Sequence, residues 1–268
     1  MPKFSANLTF LFNELPFLGR FAAAKAAGFD AVEYVCLFDH PAEILAAPLK
    51  RHGLKQVLLN IPHGDWAKGE RGIAILPGRE DEFRASIETT ITYCKALDCP
   101  QVNTLAGIAP PEVDPAILRA TFIANLRYAA PLLMAAGIKL LIEPINTRDI
   151  PGFFLTRTHQ AHAIIAEVGS DNLFIQHDFY HMQIMEGDLA RTLERYLPSI
   201  AHVQVAGNPG RNEPGTGEIN YPFLLRHLDA LGYTGYVGCE YRPSGRTSDS
   251  FGWMRELGGK AVDKEPSS

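Results

Sequence analysis

KLLIEPIN, residues 139–146, is the most informative stretch of this 268-residue chain. Its apolar run LLI has no polar residue to face water, which is typical of a strand covered on both faces in a parallel sheet. Glu143 follows this run at once, and Pro144 then ends the strand because proline has no backbone N–H to donate to a neighbour. The pattern predicts a carboxylate at the carboxyl end of a buried strand.

Three later stretches have the same arrangement. FIQHD ends in Asp178, HVQVA carries Gln204 and YVGCEY carries Glu240. Counted from Glu143, these polar residues are separated by 35, 26 and 36 residues. Such spacing suits one strand and helix unit of roughly 30 residues per step. A single polar residue at a strand end is explained by exposure to solvent alone, whereas four in register predict side chains that converge.

The rest of the chain alternates between strand and helix patterns. Strands are predicted at residues 4–8, 31–35, 56–60, 101–105, 139–143, 173–177, 201–205 and 235–239, and helices at 15–27, 41–52, 79–97, 115–136, 158–168, 188–196 and 221–231. Eight such units in about 250 residues predict an α/β fold, a closed (β/α)₈ TIM barrel. The rival is an open doubly wound sheet, but no G-x-G-x-x-G follows an early strand. No linker divides the chain, so one barrel domain is expected over residues 1–260 and a flexible tail over 261–268.

Composition disfavours several classes of protein. Hydrophobic residues make up 46% and charged residues 21% of the chain, as in an ordinary globular protein. The net charge of −5, without a cluster of Lys or Arg, disfavours a nucleic-acid partner. No run reaches membrane-spanning length, and no signal-peptide pattern is present. Cys36, Cys94, Cys99 and Cys239 have neither C-x-x-C nor zinc-ligand spacing, so reduced thiols and a cytoplasmic location are expected.

A long connection, NIPHGDWAKGERGIAILPG, follows the third predicted strand. Its Gly and Pro content rules out a regular element, and loops of this length in compact domains often bind ligands or act as lids. His63, Trp66, Glu70 and Arg71 are unusual residues for a simple tether. We expect this 60–78 loop to cover the mouth of the barrel.

Three carboxylates at one mouth would repel one another unless a cation lay among them or some stayed protonated. Because all four converging side chains offer oxygen, they favour a hard divalent ion, Mg²⁺ or Mn²⁺, over zinc. The predicted metal ligands are Glu143, Asp178, Gln204 and Glu240. Such an ion leaves positions for two substrate oxygens and polarises a carbonyl. The alternative is a ring of solvated polar side chains without a metal.

Glu143 and Glu240, from the fifth and eighth strands, are predicted to stand on opposite sides of a bound substrate. Enolisation needs one group that removes a proton next to a carbonyl and another that returns a proton elsewhere, while the metal stabilises the enediolate oxygens. This pair therefore predicts an isomerase or epimerase that works by proton transfer.

Two further residues are candidates for binding the substrate. His181 follows Asp178 by three residues, so the two side chains share a face if the segment is helical. Its alternative role is that of a packed core histidine. Arg211, in the loop after Gln204, is suited to bind a substrate carboxylate, or else is a surface arginine. His177 points away from Asp178 in a strand and is predicted to be structural.

Motifs in these loops resemble the hydroxypyruvate isomerase family of the xylose isomerase-like barrels. They are IEPIN followed by DIPGF, HDFYHMQIMEG, HVQVAGNPGRNEPGTGEINY, GCEYRP and, in the long loop, GDWAKGERGIAILPGREDEF. The resemblance extends from SANL near the start to GCEYRP. It implies reversible conversion of hydroxypyruvate to tartronate semialdehyde (2-hydroxy-3-oxopropanoate), with Glu143 and Glu240 as the catalytic glutamates. It also implies a divalent metal at the four strand-end residues and a homo-oligomer, dimer or tetramer.

Other functions stay open. The 2-oxo-tetronate isomerases are similar over much of the same length, although IEPIN and HDFYHMQ look closer to the hydroxypyruvate enzymes. Related ketose 3-epimerases usually carry His where this chain has Gln204, which weakens that alternative. An abasic-site endonuclease of the same fold would require several histidines at strand ends as metal ligands. The third and fourth strands of this chain end instead in Asn60 and Asn103. A sugar-acid sensor without catalysis is a further class.

Overall fold

A computed structural model describes residues 2–35 and 38–256 of the chain. Cys36, the last four residues of the predicted domain and the predicted tail over 261–268 lie outside the described residues. All eight strands and nine helices that the structure describes lie within these two ranges.

Eight parallel strands close into a barrel in chain order. They are β1 (Lys3–Asn7), β2 (Ala31–Tyr34), β3 (Lys55–Asn60), β4 (Gln101–Thr104), β5 (Lys139–Ile142), β6 (Leu173–Asp178), β7 (Ile200–Val205) and β8 (Tyr236–Cys239). The helices are α1 (Arg20–Ala26), α2 (Ala42–His52), α3 (Glu80–Leu97), α4 (Pro115–Ala135), α5 (Thr158–Val168), α6 (Phe179–Met185), α7 (Leu189–Tyr196), α8 (Tyr221–Ala230) and α9 (Gly252–Glu256). The predicted (β/α)₈ barrel is confirmed.

Three helices differ from the sequence-based expectation, and one of them, α9, has no predicted counterpart. The predicted helix over 15–27 is replaced by a 3₁₀ turn, Phe17–Gly19, followed by α1. Pro16 has an extended backbone, φ −54° and ψ 145°, and a residue that precedes proline avoids the helical conformation, so the helix begins later. A helix after Asp178 was considered only as the condition under which Asp178 and His181 share a face. The short helix α6 meets this condition and begins directly after Asp178.

The strand β5 is buried on both faces, as its apolar sequence predicted. Leu140, Leu141 and Ile142 are completely buried and lie between neighbours on β4 and β6. The interior of the barrel also holds polar groups. Glu33, in β2, and His202, in β7, are completely buried there, 2.9 Å apart between carboxylate and imidazole.

Cys94, Cys99 and Cys239 are buried free thiols. Among the described helices, none combines the length and the apolar character that crossing a membrane would require.

Candidate active site

The four residues that the sequence predicts to converge lie at the carboxyl ends of β5 to β8. Glu143 and Glu240 directly follow β5 and β8, and Asp178 is the last residue of β6. Gln204, in β7, pairs in register with Asp178. None of the four is more than 8% exposed. Glu143, Gln204 and Glu240 line a cavity of about 880 Å³ at this end of the barrel.

Local structure holds Asp178 in place. Its Oδ1 accepts the backbone N–H of Tyr180 at 2.8 Å and so caps α6. Its Oδ2 is buried and has no hydrogen-bond partner among the described residues. The Nε2 atom of His181 lies 3.6 Å from this oxygen. Because a buried carboxylate oxygen without a partner is unfavourable, this position is suited to a cation.

Electrostatics also favour a cation at this point. Glu143, Asp178 and His181 each offer a ligand atom within 4.8 Å of the others. Burial, with the charges of Glu240 and Asp178, raises the pKa of Glu143 well above its ordinary value. Burial likewise raises the pKa of Asp178 to about 6 and that of Glu240 to about 8, although Arg211 lowers both. Clustered carboxylates that resist ionisation fit a hard divalent ion, which would restore their charged form.

Amide donors from the neighbouring strands hold the two glutamates. Asn103, in β4, donates to Oε2 of Glu143 at 2.8 Å. Asn7, in β1, donates to Oε2 of Glu240 at 2.9 Å, and the amide nitrogen of Gln204 contacts the same oxygen. One carboxylate oxygen of each glutamate is therefore occupied by a fixed N–H donor.

Gln204 presents its nitrogen, not its oxygen, to Glu240. The nitrogen also donates to Oε1 of Glu33 at 2.8 Å, and the amide oxygen accepts from Gln176 at 2.7 Å. The single side-chain oxygen of Gln204 is thus engaged by another side chain, whereas Asp178 keeps its Oδ2 without a hydrogen-bond partner among the described residues. Glu33 itself also accepts hydrogen bonds from Ser5, Asn7 and His202. Burial acts to raise its pKa, but the contacts with His202, Gln204 and Ser5 lower it below the ordinary value.

Arg211 lies among the carboxylates. Its Nη2 atom is 2.6 Å from Oε1 of Glu240, and its Nη1 atom is 3.3 Å from Oδ2 of Asp149. The guanidinium also contacts the rings of Phe10 and Tyr180. Burial acts to lower the pKa of Arg211, but the surrounding carboxylates raise it, so this residue supplies a permanent positive charge beside Glu240.

The two histidines of HDFYHM lie in different surroundings. His181 faces the acids, and burial, reinforced by Arg211, lowers its pKa well below the ordinary value. His177 is completely buried, packs edge-on against Phe179, and has no hydrogen-bond partner for either ring nitrogen among the described residues. Burial lowers its pKa to about 4, so it is neutral, as expected of a core residue.

The 60–78 loop contributes to the same cavity. His63, Trp66 and Arg71 line it, and the guanidinium of Arg71 lies 3.7 Å from the centre of the Trp66 ring. Glu70 does not line the cavity but pairs with Arg79 at the start of α3, which ties the loop down. Movement of this loop as a lid stays a prediction.

Sequence reasoning gave no role to the amides of the first strands. Asn7 and Asn103 each follow an apolar position at the end of a short strand, which is the signal used for β5 to β8. Asn146, inside the KLLIEPIN stretch itself, is completely buried beside His181. The same strand-end criterion, applied to β1, would have placed Asn7 at the mouth, whereas Asn103 was recognised at a strand end but given no role.

Comparison with known proteins assigns this barrel to a class. The family model for the xylose isomerase-like TIM barrel matches residues 21–257. The chain belongs to this family.

Two curated relatives are equally similar to the chain. The 2-oxo-tetronate isomerase of Cupriavidus necator is 49% identical over 97% of this chain and 100% of the relative. The hydroxypyruvate isomerase of Escherichia coli is 49% identical over 95% of this chain and 98% of the relative. The resemblance recognised in the loops is confirmed, and so is the similarity to the 2-oxo-tetronate isomerases.

A solved structure from Brucella melitensis, described as AP endonuclease, family 2, has the same fold. It is 46% identical, with a TM-score of 0.94, and the match covers 96% of this chain and 99% of that one. Similar proteins thus carry both isomerase and endonuclease descriptions.

Proposed function

We propose that this protein is an aldose–ketose isomerase that interconverts hydroxypyruvate and 2-hydroxy-3-oxopropanoate (tartronate semialdehyde). The observation that carries the proposal is the pair Glu143 and Glu240, two buried glutamates that line one cavity at the mouth of the barrel. Burial raises the pKa of both glutamates, that of Glu240 to about 8, which suits groups that take up and return a proton. The similarity to relatives named as isomerases supports the same function.

The reaction needs two proton transfers at adjacent carbons. One glutamate, as carboxylate, removes a proton from C3 of hydroxypyruvate, and the electron pair forms an enediolate between C2 and C3. The other glutamate, as carboxylic acid, donates a proton to C2, and the hydroxyl proton on C3 passes to the oxygen on C2. Asn103 and Asn7 each fix one oxygen of these carboxylates. Of the second oxygens, that of Glu143 lies 3.9 Å from Nε2 of His181 and that of Glu240 lies 2.6 Å from Nη2 of Arg211.

A divalent metal, Mg²⁺ or Mn²⁺, is part of the proposal. Glu143, Asp178 and Glu240 would hold it, with the unpartnered Oδ2 of Asp178 as the strongest indication, and Gln204 is proposed as a fourth ligand. When bound, the ion would act as a Lewis acid toward the oxygens of the substrate. Activity that is lost on treatment with a chelator and restored by Mg²⁺ or Mn²⁺ would support this part.

Two cationic or donor groups are proposed to bind the substrate. His181 lies between the acids, and Arg211 is the cation beside Glu240. A substrate carboxylate would take up part of the charge of Arg211, which in the unliganded site is neutralised by Glu240 and Asp149.

A 2-oxo-tetronate is the second candidate substrate. It differs from hydroxypyruvate by one more carbon and requires the same proton transfer between C2 and C3. The Cupriavidus necator relative, a 2-oxo-tetronate isomerase, supports this candidate as strongly as the Escherichia coli relative supports hydroxypyruvate, because both are 49% identical to the chain. The cavity of about 880 Å³ also leaves room for a four-carbon acid.

An endonuclease is not proposed, despite the description of the Brucella structure. Among the described residues, the group suited to a cation includes one histidine, His181. The third and fourth strands offer Asn60 and Asn103 at the mouth, and the chain carries a net charge of −5. A cluster of metals held by several histidines, and a basic face for DNA, are therefore not supported.

The test uses purified protein and a panel of acids. Hydroxypyruvate and 2-oxo-tetronates are compared as substrates, and each reaction is repeated in heavy water. Conversion with incorporation of deuterium at carbon supports the isomerase, and the larger kcat/KM identifies the substrate. Binding without conversion or exchange would indicate a sensor, and cleavage of abasic DNA would indicate a nuclease.

We also propose that the protein is a cytoplasmic homo-oligomer, dimer or tetramer, that binds neither nucleic acid nor membrane. The three buried free thiols are consistent with a reducing compartment. Light scattering on the purified protein tests the oligomeric state.

A further inference from the structure

Asn146 ends the KLLIEPIN stretch and has an amide whose orientation is fixed by the backbone. Its Oδ1 accepts the N–H of Arg148 at 3.0 Å and the N–H of Asp149 at 2.8 Å. An amide nitrogen has no lone pair with which to accept these bonds, so the atom that faces them must be the oxygen. The amide nitrogen of Asn146 therefore faces His181.

This orientation determines the protonation of the imidazole. The Nδ2 atom of Asn146 lies 2.6 Å from Nδ1 of His181, and the backbone N–H of Asn146 approaches the same atom at 3.5 Å. Both groups are donors, so Nδ1 is an acceptor and carries no hydrogen. The imidazole is then neutral, with its hydrogen on Nε2.

The Nε2 atom points into the acid group. It lies 3.6 Å from Oδ2 of Asp178 and 3.9 Å from Oε1 of Glu143, which is too far for a hydrogen bond to either carboxylate. The Nη2 atom of Arg211 lies 3.5 Å from Nε2 of His181. A hydrogen bond at this point would require Nε2 to be the acceptor, which is the opposite tautomer. That contact is at the outer limit of a hydrogen bond, whereas the 2.6 Å contact at Nδ1 is short, so the contact with Asn146 decides the tautomer.

We propose that Asn146 is a positioning residue that holds His181 in the tautomer with hydrogen on Nε2, so that His181 donates to an oxygen of the bound hydroxy-oxo acid. In this tautomer Nε2 has no lone pair for a metal, so the cation is left to the oxygen ligands proposed above. The identity of the acceptor rests on the proposed function, whereas the tautomer itself does not.

The first test measures the tautomer in the wild-type protein. Long-range ¹H–¹⁵N spectra of protein labelled with ¹⁵N-histidine distinguish the two ring nitrogens, and His181→Gln identifies the signals by their loss. We expect hydrogen on Nε2 and a bare Nδ1 at neutral pH. Hydrogen on Nδ1, or on both nitrogens, would overturn the proposal. This measurement requires neither turnover nor a variant at Asn146.

The second test reverses the donor. In Asn146→Asp the side chain still accepts from the two backbone N–H groups but cannot donate to Nδ1, so the hydrogen is expected to move to Nδ1. With the hydrogen on Nδ1 alone the substrate loses a hydrogen bond, and KM should rise about tenfold or more, with a smaller change in kcat. If the new carboxylate instead keeps the ring doubly protonated, which the same spectra show, Nε2 still donates and KM should stay near its wild-type value. A folded variant with unchanged tautomer, or with reversed tautomer and unchanged KM, contradicts the role of His181 as donor.

A matched control separates this effect from loss of stability. Asn172 is another buried asparagine, and its Nδ2 donates to the carbonyls of Ala130 and Ile138, away from the mouth. Asn172→Ala should lower stability and leave both KM and the His181 tautomer at their wild-type values. If Asn146→Asp does not fold, the wild-type spectrum decides the question. A wild-type protein with the expected tautomer but no turnover of any acid would refute the proposed function alone.

Discussion

The two halves of the barrel mouth carry different chemistry. The first four strands bring neutral amides, Asn7, Asn60 and Asn103, at or next to their carboxyl ends. The last four bring Glu143, Asp178, Gln204 and Glu240. Hydrogen bonds cross between the halves, from Asn103 to Glu143 at 2.8 Å and from Asn7 to Glu240 at 2.9 Å.

This difference separates the groups that change protonation from those that do not. An amide keeps its donors at every pH of interest, whereas a buried carboxylate gains or loses a proton as its surroundings change. The first half therefore supplies fixed donors, whereas the second supplies, besides the amide of Gln204, three carboxyl groups whose pKa is raised by burial. If this division is correct, substitutions on the two sides should have effects of different kind and size.

The largest effect is expected from replacing either glutamate by its amide. Glu143→Gln and Glu240→Gln keep the shape of the side chain and remove the group that carries the proton, so kcat should fall by about 10²- to 10⁴-fold in each. Steady-state assays with hydroxypyruvate measure this loss. Circular dichroism and thermal melting serve as controls for folding, and full activity in either folded variant would contradict the catalytic assignment.

A smaller effect is expected on the amide side. Asn103→Leu keeps a similar volume but removes the N–H that holds Oε2 of Glu143. Since the glutamate itself remains, kcat should fall by about 10- to 100-fold, as is typical when a supporting partner is lost. A loss as large as that of Glu143→Gln would mean that the two halves are not distinct in the way described here.

Replacing Glu33 tests whether the difference between the two halves of the mouth extends into the interior of the barrel. This glutamate is the one carboxylate that the first four strands place inside the barrel, among the described residues, and it accepts from the amides of Asn7 and Gln204, both of which contact Glu240. In Glu33→Gln the amide groups of Asn7 and Gln204 would face another amide in place of a carboxylate that accepts from both. We therefore expect kcat to fall by about tenfold while KM changes little. Glu33→Asp, which keeps the charge, should recover part of the activity; wild-type kcat in both variants would show that Glu33 is only structural.

Some of these features could be predicted from the sequence, and others depend on contacts that it does not reveal. The apolar run before Glu143 and the regular spacing to Glu240 were sufficient for the barrel and for the acidic side of the mouth. The partner of Glu240 was not predictable, because Asn7 lies 233 residues away and is brought to it only when β8 closes against β1. Glu33 was recognised as part of a strand, but its role depends on His202, 169 residues further along.

The acids should also make the metal-free protein less stable as pH rises. The pKa of Asp178 is raised from 3.8 to about 6 and that of Glu240 from 4.5 to about 8, so the folded state holds protons that the unfolded chain has released. Stability from these groups is fully present below about pH 4 and falls as pH rises toward about 8, because the unfolded state binds fewer protons over this range. Thermal melting of chelated protein from pH 5 to pH 8 measures the trend, and Glu240→Gln should make it shallower. A melting temperature that rises steadily over this range in the chelated wild type would contradict the assignment.

The smallest effect is expected at the other end of β5. Lys139 begins the strand that Glu143 follows, and its exposed ammonium lies 5.2 Å from the centre of the Phe174 ring, on the face opposite the mouth. Lys139→Gln removes this contact, which at an exposed site contributes about 0.5–1 kcal/mol to the free energy of unfolding. The variant should therefore unfold at slightly lower denaturant concentration with unchanged kcat and KM. A change in kcat would mean that charge at the amino end of the strand influences the acids four residues away, and that the mouth is not electrostatically independent of the rest of the barrel.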